Sequence, residues 1–273
     1  MTATTLNRAS GGSGHRVTQA RVVVSEWTKL RSLRSTVFSL LAAVVFIVGL
    51  SVLVPSVTVA HWPPRDPRDA IGFDPTTRSL AGIFLAQLAI GVLGVLLVTG
   101  EYATGMIRAT FAAVPHRLPV LWAKTFVFAA TTLVLTVPAA LGAFLIGQSI
   151  FSGKHLETTL GAPGVARAVI GAALYLTAVG VLGVALGALL RNTAAGISSL
   201  FGLLFVLPII VHFLPSSWSS AIDKYLPGSA GQSITAVHPD PTALSPWVGF
   251  AVFCGYAAVA LVAAAGAMRR RDA

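Results

Sequence analysis

The sequence predicts an all-α integral membrane protein with six transmembrane helices and both termini cytoplasmic, and three observations lead there. Of its 273 residues, 55% are hydrophobic and only 10% charged, too few charges to coat a soluble domain of this length. Six runs, 35–64, 79–100, 125–153, 168–190, 192–222 and 241–268, contain no Asp, Glu, Lys or Arg. Each exceeds the roughly 20 apolar residues that cross a hydrocarbon core. With the N-terminus inside, thirteen of the 19 Lys and Arg residues fall in cytoplasmic segments, as the positive-inside rule requires. Glu26, Glu101 and Asp272 are the only acids on that side. The inner face therefore carries the whole formal charge of +10 and the outer face is neutral.

Residues 1–20 read as a cytoplasmic tail, disordered where it is rich in Ser, Gly and Thr. Residues 21–273 read as one transmembrane domain. Between 22 and 33, VVVSEWTKLRSL places Val23, Trp27 and Leu30 at helical spacing, with Glu26 and Lys29 elsewhere on the turn. That pattern is a short amphipathic helix lying at the interface with Trp27 at headgroup level; an ordinary basic flank explains its charge equally well. Trimming the polar ends of the six runs gives spans near 36–60, 80–99, 121–150, 168–190, 194–214 and 246–267. The first is too long, and too far from the N-terminus, for the apolar region of a signal peptide. Pro138 and Pro208 fall within spans and predict kinks. Gly183 and Gly187 form a small-xxx-small pair in the fourth, suited to close packing within the bundle.

The residues favour few chemistries. The basic balance brackets apolar runs instead of lining one face, and no basic segment is interleaved with stacking aromatics, so nucleic-acid binding is disfavoured. The lone Cys254 excludes an intrachain disulfide and a Cys-based metal cluster. No HExxH, GxSxG or carboxylate pair is present. Gly147 to His155 is a failed phosphate loop: five residues separate its glycines, and His follows Lys154 where Ser or Thr is needed. The chain is therefore expected to be neither an enzyme nor an ATP binder. At mid-membrane its spans hold no Asp, Glu, Lys, Arg or His, His212 lying near the outer end of the fifth. That disfavours ion-gradient coupling and suits a conduit driven from outside the membrane. Gln87, Thr131, Thr136 and Pro138 are its candidate pathway residues.

The loop after the second span, GEYATGMIRATFAAVPHR, carries the most information. Read as a helix, it sets Glu101, Thr104 and Arg108 on one face and Tyr102 and Met106 on another, and Pro115 stops it. Residue pattern alone leaves a docking element and a plain interfacial helix both open.

The stretch SEWTKLRSLRS at 25–35, the motif Glu101-Tyr-x-x-Gly105-Met-Ile-Arg108 through Pro115-x-Arg117, and LPGSAGQSI at 226–234 resemble permease subunits of the ABC-2 type transporter family. With the six-span layout, the resemblance covers nearly the whole chain. It implies export across a bacterial plasma membrane, and the apolar, uncharged walls of the spans favour a hydrophobic or amphipathic substrate such as a drug, lipid or peptide. It also implies a second permease copy, identical or paralogous, and two copies of a separate ATP-binding cassette subunit that binds ATP and Mg. The 22–33 helix, with Glu26, Trp27, Lys29 and Leu30, would be the connecting helix. The 101–114 segment would be the coupling helix, with Glu101, Tyr102, Thr104, Gly105, Met106, Arg108, Pro115 and Arg117 facing the ATPase. Residues 216–237 would form two short re-entrant outer helices broken at Pro227-Gly228. A non-transporting membrane sensor or immunity protein is the alternative from a different class, and an adjacent ATPase gene would discriminate the two.

Overall fold

In a computed structural model, which describes residues 18–64, 72–107 and 117–270 and leaves the side chains of 117, 216 and 217 aside, every regular element among the described residues is helical. The order is α1 (Gln19–Ser32), α2 (Arg34–Ala60), α3 (Pro75–Ser79), α4 (Ile83–Ala103), α5 (Arg117–Phe151), α6 (Val165–Leu190), α7 (Thr193–Phe201), α8 (Leu207–His212), α9 (Ser216–Asp223), α10 (Pro227–Gln232) and α11 (Pro246–Arg270). A π-helical turn, Gly202–Val206, joins α7 to α8, so that Thr193–His212 is one helical rod. Six helical stretches are long and apolar enough to cross a membrane. The disordered-tail expectation for residues 1–16 lies outside the described residues.

Composition decides which helix stands at the centre. Along α6, small residues recur at Ala168, Gly171, Ala172, Gly180, Gly183 and Gly187, and 78% of its apolar window is buried against 17% for α2. Without a hydrophobic force between helices in lipid, association relies on close contact, and small residues allow it. A Cβ on Gly183 would stand 2.3 Å from the Gly91 carbonyl oxygen, and one on Gly94 would stand 2.3 Å from that of Gly180. The backbones of α4 and α6 thus touch, and the Gly183–Gly187 pair packs within the chain. Around this pair lie α5 and α11, with α2 outside against α5 and α4.

Proline positions read from sequence take two forms. Pro138 sits inside the continuous α5. Pro208 sits in the first turn of α8, directly after the π-helical turn, which supplies the slack that a ring without an N–H demands. The outer end is stitched by Gln148: its amide donates to Ser79 Oγ at 3.1 Å and to the Pro75 carbonyl at 3.3 Å, and accepts from Thr158 N at 2.8 Å. Two short helices, α9 and α10, precede the last span, and the second begins at Pro227.

Candidate functional site

Helix α1 buries Val22, Glu26 and Leu30, one stripe at i, i+4 and i+8. The sequence pattern puts Trp27 and Val23 on the apolar face and Glu26 elsewhere, so a buried Glu26 departs from expectation. The reason is partners. A lone carboxylate 4% exposed would pay heavily for lost hydration; Glu26 instead accepts from Lys29 Nζ at 2.8 Å and from Lys124 Nζ at 2.6 Å. Trp27 turns outward, 47% exposed, as an interfacial residue does.

The same two ammonium groups reach a second acid. Glu101 Oε1 accepts from Lys29 at 3.0 Å and from Lys124 at 2.9 Å. Glu26, Lys29, Glu101 and Lys124 therefore form a closed ring of alternating sign with no net charge. Three of the four are at most 6% exposed. Three helices contribute: α1 supplies the first two, the last turn of α4 supplies Glu101, and the second turn of α5 supplies Lys124. Burial works to lower the Lys29 pKa, but the carboxylates of Glu26 and Glu101 outweigh it and hold the proton more tightly than in a free lysine.

Glu101 does not stand on a separate loop helix. The α4 helix continues through Ala103 and ends where Gly105 takes the left-handed φ of +70°, a conformation glycine adopts without penalty. The Thr104 hydroxyl turns back to the Gly100 carbonyl at 2.9 Å. The expected helix over 101–114 is thus interrupted near its start: residues 101–103 belong to the second span, Glu101 packs against Lys29 and Lys124, a helical stretch begins again at Met106, and 108–114 lie outside the described residues. Met106 is 42% exposed, whereas Ile107 is buried. Arg108 and Pro115 lie outside the described residues, as does the side chain of Arg117.

The opposite side of the same α4 turn is also held. Tyr102 stacks under the Arg191 guanidinium, 5.2 Å from ring centroid to Cζ, a cation–π contact. One turn back, Thr99 Oγ1 accepts from the Thr193 hydroxyl at 2.9 Å. The end of α4 is thus clamped to α1 and α5 through Glu101, and to the α6–α7 junction through Tyr102 and Thr99.

A scan against protein-family models finds no match to this chain, and a search of curated proteins finds none. The family resemblance accordingly rests on the residues quoted for it.

Of the candidate pathway residues, the structure brings no two together. Gln87 is buried near the start of α4 and accepts a hydrogen bond from Tyr175. Thr131 and Thr136 donate back to the carbonyls of Val127 and Thr132, four residues earlier; Thr136 is enclosed, and Thr131 lines an apolar groove of about 670 Å³ between α1, α2 and α5. Pro138 is exposed. Among the described residues no three His, Cys, Asp or Glu side chains gather into a metal site. Sequence reading missed Lys124, Arg191 and Gln148 as structural partners. The signal for the first was available: a chain with only three acids among its cytoplasmic segments must find a base for each that approaches the membrane.

Proposed function

We propose that this chain is the permease subunit of an ATP-driven ABC exporter, moving a hydrophobic or amphipathic cargo across a bacterial plasma membrane. The ion ring carries the reading. It ties the interfacial helix α1 to the end of α4 and the start of α5, the two helices that the 104–116 segment connects, so a force on that segment reaches α1, α4 and α5 together. That is what a conduit without its own energy source needs: a rigid lever where a partner docks. In this reading a nucleotide-binding subunit, holding ATP and Mg, seats the 104–117 loop, and its closure tilts α4 and α5 against a second permease copy. Met106, exposed beside the left-handed Gly105, presents an apolar contact to that partner. The ring makes Glu101 a positioning residue for the loop.

The test is co-expression with an ATPase subunit encoded beside this chain, followed by substrate-stimulated ATP hydrolysis in lipid vesicles. The pair is expected to co-purify with two ATPase copies per permease dimer. A Cβ at Gly105 meets no atom within 4 Å, so Gly105→Val strains only the loop. It should abolish stimulation while the melting midpoint stays within about 4 °C, the shift that about 1 kcal/mol produces in a chain of this size. Normal export by Gly105→Val, or an adjacent ATPase that does not bind, would sink the reading.

A further inference from the structure

The ion ring decides where α1 lies, and it leaves a space beside that helix. Glu26 and Lys29 are drawn to Lys124 and Glu101, and Val22 packs with Val120 and Ala123 at the start of α5. Helix α1 therefore leans on α5 and touches α2 little. What remains between the three helices is the apolar groove of about 670 Å³. Trp27 lines it from α1, Leu41 and Val44 from α2, and Phe126 and Val134 from α5. Its one hydroxyl, that of Thr131, is spent on the Val127 carbonyl. Along α5 the lining runs from Phe126 to Leu135, about 14 Å at 1.5 Å per residue. That is about half of a 30 Å hydrocarbon core, the depth of one leaflet. A partner helix crossing the membrane needs the whole core; one acyl chain entering from the basic end needs only this half.

The mouth of the groove is cationic. Arg31 follows Trp27 by one turn on the same face of α1, and Arg34 precedes Val37 and Leu41 on one face of α2. Both arginines are exposed, and neither guanidinium has an ion pair or hydrogen bond among the described residues. No acid of either helix opposes them: Glu26, the single one in α1, is locked in the ring, and α2 has none. Leu33 gives α2 no side-chain cap, so the amides of its first turn add to the pull on an anion. Trp27 and Trp122, each about half exposed, mark the headgroup level on α1 and α5.

Two unpaired guanidiniums above a leaflet-deep apolar slot fit an anionic amphiphile. We propose that the groove binds one anionic phospholipid of the leaflet at the basic end, with an acyl chain between α2 and α5 and the phosphate on Arg31 and Arg34. A zwitterionic lipid fills the slot equally well but gains less from the two cations, since each Arg beside an anionic headgroup is worth about fivefold in binding. The lipid is a fixture of the fold beside the ring and is not cargo. The inference holds whether or not the chain transports, so its failure leaves the permease reading standing.

Native mass spectrometry tests this on the unmodified chain, released into mild detergent from nanodiscs of equal phosphatidylcholine and phosphatidylglycerol. Phosphatidylglycerol should stay bound in preference to phosphatidylcholine by about 25-fold, the two cations acting together. Arg31→Gln combined with Arg34→Gln should bring the two lipids close to parity. Ala130→Phe, which fills the groove without changing a charge, should remove the retained lipid. A second readout needs no release from the bilayer. With Trp62, Trp122, Trp218 and Trp247 changed to Phe, dibrominated phosphatidylglycerol in phosphatidylcholine vesicles should quench Trp27 at a far lower mole fraction than dibrominated phosphatidylcholine does. Three outcomes would overturn the proposal: parity between the lipids in the unmodified chain, a preference that survives Ala130→Phe and so reflects surface attraction only, or a Trp27 that neither lipid quenches because a second copy of the chain covers it.

Discussion

Lys124 shows how much one atom can hold. Its Nζ touches both acids of the ring at 2.6 and 2.9 Å, and at 4% exposure it has little water to fall back on. Lys124→Met leaves two buried carboxylates sharing Lys29, and breaking such a pair costs about 3–5 kcal/mol. Unfolding in detergent should register that loss. Adding Glu26→Gln to the same chain restores one acid to one base and should recover part of it, a coupling read by a double-mutant cycle. Lys29 adds a pH dependence. Because its folded pKa is raised above the ordinary 10.5, its contribution is fully present below that value and is lost as pH climbs through the folded one. The melting midpoint should therefore fall above about pH 10.5, and fall less in Lys29→Met. Little of this was legible beforehand. Hydrophobic periodicity sorts residues by their own polarity, and it has no means of knowing that Glu26 meets a base 98 residues further along the chain.

Helices were far more legible than sites, because membrane length and apolarity constrain them from within the segment. All six spans stand within a few residues of expectation; the largest departures are four residues, α4 running past the expected end at 99 to Ala103 and α5 beginning at Arg117, before the expected 121. The charged and aromatic last turn of α4, Glu101 and Tyr102, reads by pattern as the start of a separate cytoplasmic helix and belongs instead to the span. Small residues teach the same lesson at the α4–α6 contact: spacing identified a packing pair, but only the fold reveals backbone against backbone. Gly94→Ala should destabilise by about 1–3 kcal/mol, since the added carbon collides with the Gly180 carbonyl oxygen and Val184 N. Gly142→Ala, with open space around its Cβ, should instead stabilise by a few tenths to about 1 kcal/mol through helix propensity alone. Thermal unfolding of the two variants side by side checks both signs.

At the scale of the molecule, the charge asymmetry of the loops sets which end of the bundle faces the cytoplasm, and the fold puts the ion ring at the basic end. In a Cys254→Ser background, Lys154→Cys should react with a membrane-impermeant maleimide added to intact cells, and Arg270→Cys only after permeabilisation. Both positions are exposed, so accessibility reports sidedness and nothing else. The reverse labelling would invert the topology and remove the ion ring from any cytoplasmic partner. The ring also imposes an order on biosynthesis. Glu26 and Lys29 are translated before the first span, Glu101 at the end of the second, and Lys124 only as the third begins. A nascent chain bearing two spans holds two of the ring's acids against one base, so α1 can engage α4 only through Lys29 and Glu101, and the ring closes only once α5 brings Lys124.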